Sequence, residues 1–183
     1  MNPRNICLTI VVLLILSVTP MGAQEKLGDL VSQNGFEWII GKWVTTTDGG
    51  DKIEFEYKWE LDKNIILMDL KMGDFKYHSM TMFHPSSEEV IQIGADNKGG
   101  TWKGIWQNEY GDAIHRTEHT SREGEVTKAD IVHRRVDADT LKVAMYGVES
   151  DGSRAASPWT ELTYKRQKKP RISSTIEAVG KPK

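Results

Sequence analysis

The sequence of 183 residues predicts an all-β protein, an antiparallel up-and-down barrel of about ten strands. Short segments rich in β-branched and aromatic residues follow one another at even spacing, and Gly, Asp, Asn or Pro separate them. No helix-period pattern of useful length interrupts the series. A meander this long leaves two exposed edges unless it closes, so the pattern favours a barrel over an open sheet.

The clearest strand covers residues 53–61. Its apolar positions Ile53, Phe55, Tyr57, Trp59 and Leu61 alternate without error with Glu and Lys. This period of two is typical of a strand with one buried face and one face in water. The other predicted strands are residues 42–47, 65–72, 75–83, 90–95, 101–107, 113–119, 126–136, 140–148 and 159–166.

Before the first strand, only residues 27–40 have a weak helical pattern. Leu27, Leu30, Val31 and Trp38 form its apolar side. We expect a short helical turn there, ahead of the barrel.

The N-terminus resembles a secretory signal peptide in its order of segments. An unbroken apolar run from Ile6 to Leu16 is followed by Pro20 and by small residues that end at Ala23. Because the run is shorter than the about 20 residues of a spanning helix, we expect cleavage after Ala23 and export to the periplasm or medium, without stable membrane insertion. The single cysteine, Cys7, then leaves with the signal, which excludes a disulfide framework.

The predicted organisation is a signal peptide (residues 1–23), a lead-in (24–35), the barrel (36–166) and a basic, flexible tail (167–183). The formal net charge of −2 excludes a uniformly basic nucleic-acid-binding protein. Positive charge concentrates at the C-terminus, where seven Lys and Arg stand against one Glu between residues 165 and 183. We interpret this tail as a solvated segment without a part in the binding site.

Residues 36–43, FEWIIGKW, resemble the opening of lipocalin-like, or calycin-type, barrels. The chain also resembles a group of uncharacterised secreted bacterial proteins that open with W-[IL]-[IV]-G-x-W. Three later motifs resemble that group in order and spacing: YKWELDKN (57–64), GGTWKGIW (99–106) and RVDADTL (135–141). The resemblance implies an antiparallel barrel, with Arg166 over the ring of Trp43, and implies little about activity.

Residues 115–119 read H-x-x-E-H, the order of ligands in inverted zinc proteases. That motif requires a helix, which places two histidines four apart around one zinc ion. Here the alternation predicts a strand, on which His115 and His119 are about 13 Å apart. The pattern therefore argues against a metalloprotease.

The pairing of the strands at 113–119 and 126–136 decides the surroundings of His115. A two-residue turn places His115 opposite Asp130, whereas a three-residue loop places it opposite Ile131, with Ala113 opposite His133. The first register offers a His–Asp pair and the second puts both histidines on one face. An enzyme that uses His115, Asp130 or His133 in the cavity is therefore one hypothesis.

The leading hypothesis is a carrier or sensor of a small apolar or amphipathic molecule inside the barrel. Tyr and Trp suit a partly hydrated cavity, and Met suits an adaptable lining. The predicted ligand-binding residues are Tyr57, Trp59, Tyr77, Trp102, Trp106 and Tyr146, with Met68, Met80, Met82 and Met145 beside them. The pattern is compatible both with an open interior and with one filled by side chains.

No cofactor or metal is assigned from the sequence. It contains no G-x-S-x-G elbow, phosphate-binding loop or EF-hand spacing. Haem binding through one of the five histidines is a weaker possibility, because some relatives of this barrel class bind haem and no histidine here matches a ligand position.

Overall fold

Ten antiparallel strands close into one barrel in the computed structural model, which describes residues 26–168. Each strand pairs with the next in the chain, and the last pairs with the first. The predicted fold class is thus confirmed. The predicted signal peptide, its cleavage site and the tail beyond Lys168 lie outside the described residues.

All ten predicted strands are present, and their ends agree with the prediction to within two residues. They are β1 (Gly41–Thr46), β2 (Lys52–Glu60), β3 (Ile65–Met72), β4 (Phe75–His84), β5 (Glu89–Asp96), β6 (Thr101–Glu109), β7 (Asp112–Thr120), β8 (Val126–Arg135), β9 (Thr140–Gly147) and β10 (Thr160–Arg166).

The segment with the weak helical pattern, residues 27–40, forms a helix α1 (Leu27–Gln33) and a separate 3-10 turn (Glu37–Ile39). The break falls at Gly35, whose φ of 69° lies in the left-handed region that glycine tolerates best. The amide of Gly35 donates to the Ser32 carbonyl and that of Phe36 to the Val31 carbonyl, which is a Schellman closure of α1.

The barrel closes where β1 meets β10, which we call the seam. Only two residue pairs are in register there, Trp43 with Arg166 and Val44 with Lys165. The Arg166 guanidinium lies 4.1 Å from the centre of the Trp43 ring. It also donates hydrogen bonds to the carbonyls of Trp38 and Ile40, at 2.6 and 2.7 Å. The cation therefore ties the last strand to the chain that leads into the first.

Helix α1 lies against one end of the barrel, which we call the helix end. The amide of Gly28 donates to the Lys63 carbonyl at 2.9 Å, in the turn between β2 and β3. Leu27 is 1% exposed and joins the core beside Ile39 and Trp43. This end is thus covered by the lead-in, and the opposite end is called the far end below.

A loop between β9 and β10 packs on the outside of the barrel around a buried carboxylate. Asp130 on β8 is fully buried and accepts two hydrogen bonds from Arg116 at 2.9 Å and one from Arg154 at 3.0 Å. Burial opposes its ionisation, but the bonds from the two guanidinium groups outweigh burial and hold the pKa of Asp130 below its usual value.

Replacing Asp130 by Asn is expected to lower the free energy of unfolding by about 2–3 kcal/mol, since charged hydrogen bonds to a buried group are lost. The two arginines keep access to water, which limits the loss. Urea unfolding measures the change. Glu161→Gln is the control, because Glu161 pairs with Lys142 at 2.9 Å where both side chains are 43% exposed, and we expect less than about 1 kcal/mol there. Equal losses in the two variants would contradict a special role for the buried carboxylate.

Candidate functional site

Five of the six aromatic residues predicted to bind a ligand face the barrel interior: Tyr57, Trp59, Tyr77, Trp102 and Trp106. Their strands alternate as predicted, so every second side chain points inward. Tyr57 is 4% exposed, and Trp106 packs against the core next to it. These five aromatic side chains come from β2, β4 and β6.

Tyr146 is the exception and lies on the outer surface. It pairs with Asp130, and the Arg154 guanidinium stacks over its ring at 5.6 Å. Met80 and Met82 also face outward, whereas Met68 and Met145 face inward. The prediction that Tyr146, Met80 and Met82 line the interior is wrong, because β4 and β9 carry apolar side chains on both faces.

Four side chains meet inside the barrel and form what we call the inner cluster: Tyr57, Trp106, His115 and His133. The Trp106 ring stacks on His115 with centres 5.0 Å apart and lies 5.1 Å from His133. The Tyr57 hydroxyl and His133 Nε2 share a long hydrogen bond of 3.4 Å. The cluster is therefore a packed set of rings with few strong hydrogen bonds.

Both histidines of the inner cluster are neutral near pH 7. Burial, together with the positive charge that His133 would carry, lowers the pKa of His115 to about 3. Burial lowers the pKa of His133 to about 4, although nearby backbone carbonyls partly oppose this. Burial likewise raises the pKa of Tyr57 far above its usual value. The cluster thus carries no formal charge under ordinary conditions.

In the part of the chain that the structure describes, two buried ring nitrogens of the inner cluster have no hydrogen-bond partner, His115 Nε2 and His133 Nδ1. The His115 ring leans over Gly104, where an added Cβ atom would lie 2.7 Å from Nε2 and would also clash with the Arg116 carbonyl. The absence of a side chain at Gly104 therefore makes room for the imidazole.

The pairing of β7 with β8 follows the second of the two predicted registers. His115 lies opposite Ile131, Ala113 opposite His133, and Asp130 opposite Arg116. Asp130 consequently points outward and does not contact either histidine of the inner cluster. A His–Asp130 pair inside the cavity, the basis of the enzyme hypothesis, is not formed. His115 and His119 lie on a strand, as the alternation predicts.

A different histidine approaches a carboxylate at the far end. His119 Nε2 lies 3.4 Å from Asp96 Oδ2 without the alignment of a hydrogen bond, and its ring stacks on Trp102 with centres 4.3 Å apart. Asp96 already accepts from the amides of Lys98 and Gly100 at 2.9 Å. These bonds close the turn between β5 and β6, so the role of Asp96 is structural.

Gln92 organises the polar part of the interior. Its amide oxygen accepts from Trp106 at 2.8 Å and from Thr81 at 3.0 Å. Its amide nitrogen donates to Tyr77 at 3.1 Å and to Ser79 at 3.0 Å. Because all four bonding positions are used, Gln92 holds the Trp106 ring in a fixed orientation.

A cavity of about 140 Å³ lies between α1 and the inner cluster. Its lining is mainly apolar and comes from both the lead-in and the strands. The lining residues are Leu27, Leu30, Val31, Asn34, Phe36, Ile39, Tyr57, Ile66, Thr81, Val90, Trp106, Gln107, Asn108 and Ala113. Pockets for drug-sized molecules measure roughly 300–1,000 Å³, so a haem does not fit in this cavity.

Sequence reasoning identified Tyr57 and Trp106 but missed the lead-in half of this lining. The sequence predicts Leu27, Leu30 and Val31 as part of the apolar side of a short helix, but not their place in the cavity. Gln92 was missed as well, although a lone amide within the run Val90–Ile93 is a signal for a buried polar contact.

Neither a protein-family model nor a curated protein sequence matches this chain. Within residues 26–168, neither helix has the length and apolar content needed to cross a bilayer. The barrel itself is compatible with the binding of a ligand in its interior.

Proposed function

We propose that the chain is an exported, lipocalin-like protein that binds one small, uncharged molecule, apolar or amphipathic, beneath α1. The cavity of about 140 Å³ carries this proposal. Apolar cavities of about 150 Å³ admit benzene, so the volume fits a single ring or a short alkyl chain.

The surroundings of the cavity favour a neutral ligand. The histidines that lie behind Trp106 are uncharged near pH 7, and Asp96 lies at the far end of the barrel. A charged group in the cavity would therefore lose its hydration without gaining a counter-charge.

An amphipathic ligand would find its polar contacts on one side of the cavity. Asn108 donates to Asn34 at 3.2 Å where the turn between β6 and β7 meets the end of α1, and both amides line the cavity. We infer that a hydroxyl group points toward these amides while the apolar part contacts Leu30 and Ile66.

The positions of His115 and His133 favour ligand binding over catalysis. A general base needs a proton acceptor within reach of the substrate and a group that orients it. Trp106 and Tyr57 line the cavity, whereas His115 and His133 are packed against Trp106 and contact no carboxylate within residues 26–168. These contacts support a carrier or sensor.

Toluene is the first probe, since its size matches the cavity. We expect toluene to raise the thermal unfolding midpoint of the protein in a concentration-dependent manner, because a ligand that binds only the folded state stabilises it. Val31→Trp fills the cavity and should abolish the effect of toluene. Val126→Trp is the control, because Val126 is 55% exposed on β8 and does not line the cavity.

An equal toluene effect in the wild type and in Val31→Trp would overturn this location of the site, as would no effect in the wild type. Native mass spectrometry of the protein recovered from its own host provides a second readout. We expect a bound neutral molecule, and a mature chain that begins at Gln24.

A further inference from the structure

Within residues 26–168, the lining of the cavity beneath α1 is exposed to solvent in one area, which we call the portal. Eleven of the lining residues are buried or half-buried, and three are exposed: Asn34, Gln107 and Asn108. Asn34 lies at the C-terminal end of α1, and the other two lie near the end of β6. The opening of the cavity is therefore between α1 and the turn that follows β6.

One hydrogen bond crosses the portal. Asn108 Nδ2 donates to Asn34 Oδ1 at 3.2 Å, and both side chains are exposed. The two amides also form bonds on their own sides of the portal: Asn34 Nδ2 donates to the Leu30 carbonyl at 2.9 Å, and Asn108 Oδ1 accepts from the Gly111 amide at 3.1 Å. Because water replaces an exposed hydrogen bond at little cost, the portal can open while these other bonds remain.

The opposite end of α1 is held more firmly. Leu27 is 1% exposed, and the Gly28 amide donates to the Lys63 carbonyl at 2.9 Å. Gly28 lies so close to the turn between β2 and β3 that an added Cβ atom would be 2.8 Å from Lys63 Cβ. The N-terminal end of α1 is therefore fixed on the barrel, and its C-terminal end is the part that is free to move.

The strand side of the portal is held from outside the barrel. Glu109, which follows Asn108, accepts from Arg154 at 3.0 Å. On the helix side, Gly35 follows Asn34 with a φ of 69°, and a Cβ atom there would have no neighbour within 4 Å. Glycine accommodates a change in backbone angle better than other residues. We therefore place the motion in the last turn of α1 and not in β6.

We propose that ligands enter and leave the cavity through the portal, and that the hydrogen bond between Asn34 and Asn108 closes it. Opening breaks this bond and moves the last turn of α1 outward, while Leu27 and Gly28 stay in place. All three portal side chains are uncharged amides, so a neutral molecule with a hydroxyl group can exchange hydrogen bonds with them as it passes. This proposal rests on the proposed ligand site and adds the route by which the ligand reaches it.

Cross-linking across the portal is the test. The full chain carries Cys7→Ser, which removes its single native thiol, together with Asn34→Cys and Asn108→Cys. A short bis-methanethiosulfonate reagent joins the two new thiols through disulfide bonds, and dithiothreitol releases them. NMR line shapes of added toluene report its exchange rate. We expect exchange to be at least about ten times slower in the cross-linked protein than after reduction, because binding then lacks the conformational change it needs.

The matched control joins Lys142→Cys to Glu161→Cys in the same Cys7→Ser background. The native side chains of this pair lie 2.9 Å apart on β9 and β10, and neither lines the cavity. Cross-linking there should leave toluene exchange unchanged. The thermal unfolding midpoint with and without toluene verifies that each cross-linked protein is folded and still binds toluene at equilibrium.

Asn108→Asp weakens the closure of the portal without a cross-link. Its carboxylate still accepts from the Gly111 amide but cannot donate to Asn34. We expect toluene exchange up to about ten times faster, the factor that one net hydrogen bond is worth. Gln33→Glu is the control, because it adds the same charge at an exposed position of α1 that does not line the cavity. Its exchange rate should equal that of the wild type.

Unchanged exchange after cross-linking of positions 34 and 108 would overturn the portal. Equal rates in Asn108→Asp and the wild type would overturn the role of the hydrogen bond. In both cases toluene would still raise the unfolding midpoint, so the ligand site itself would stand. A wild-type midpoint that does not respond to toluene would overturn the ligand site and the portal together.

Discussion

Acidification from pH 7 to pH 4.5 is expected to lower the free energy of unfolding by about 4–5 kcal/mol through His115 and His133 alone. The pKa values of the two histidines are about 3 and about 4 in the folded protein. A histidine in the unfolded chain has a pKa near 6.5. The unfolded state therefore binds more protons than the folded state throughout this interval.

Stability therefore falls as the pH falls, because the unfolded state takes up more protons than the folded state. Each histidine contributes fully to stability above pH 6.5, and its contribution falls by about 1.4 kcal/mol per pH unit below it. The loss continues until the folded state itself binds the proton, which happens near pH 4 for His133 and near pH 3 for His115. Stability should accordingly drop steeply between pH 6 and 4.5, before most carboxylates titrate.

Urea unfolding at a series of pH values measures this slope. His115→Gln and His133→Gln should each reduce the slope, since glutamine does not titrate. The control is His84→Gln, because His84 is an exposed residue at the end of β4 and lies outside the inner cluster. A slope that is the same in all three variants would show that the inner cluster is not responsible.

Trp43→Ala is expected to lower the free energy of unfolding by about 3–5 kcal/mol, the usual cost of removing a fully buried large aromatic residue. Trp43 is 1% exposed, and its indole nitrogen donates a hydrogen bond to the Ile39 carbonyl at 2.9 Å. The Arg166 guanidinium stacks on its ring. Its loss leaves a cavity at the seam and removes the stacking partner of the guanidinium.

The matched control for Trp43 is Trp159→Ala, because Trp159 is 59% exposed in the loop before β10. Its replacement should cost well under half as much in the same urea titration. If the two tryptophan variants lost equal stability, Trp43 would not be the anchor of the seam that its contacts indicate.

Local alternation was sufficient to predict the strands. In β2, apolar and charged residues alternate so regularly that the inward set from Ile53 to Trp59 follows from the sequence alone. Turn residues mark the strand ends well, since Gly73 and Gly99 have the positive φ angles that glycine provides. The closed barrel then follows from the number and order of the strands.

Alternation fails where both faces of a strand are apolar or partly buried. In β9, Ala144 is buried on the outside and Leu141 on the inside, so the sequence does not reveal on which side Tyr146 lies. The outer loop that carries Arg154 covers this part of the barrel, and only tertiary structure shows it. The placement of Tyr146 was missed for this reason.

The candidate site depends on contacts that are distant in sequence. The register between β7 and β8 decides whether His115 meets Asp130, and it depends on the geometry of one turn. Likewise, the cavity exists because α1 rests on the end of the barrel, held through Gly28 and Lys63. Neither the register between β7 and β8 nor the contact of α1 with the barrel produces a periodic pattern in the sequence.

The seam also has a consequence for the order of folding. Nine of the ten strand pairings join neighbours in the chain, whereas the contact from Arg166 to Ile40 spans 126 positions. The entropy lost in closing a loop grows with its length, so the seam would be the most costly contact to form first. Once the nine hairpins have formed and the sheet has coiled, its two edges are already neighbours. Arg166 then joins the two edges of a sheet that the local pairings have already brought close together.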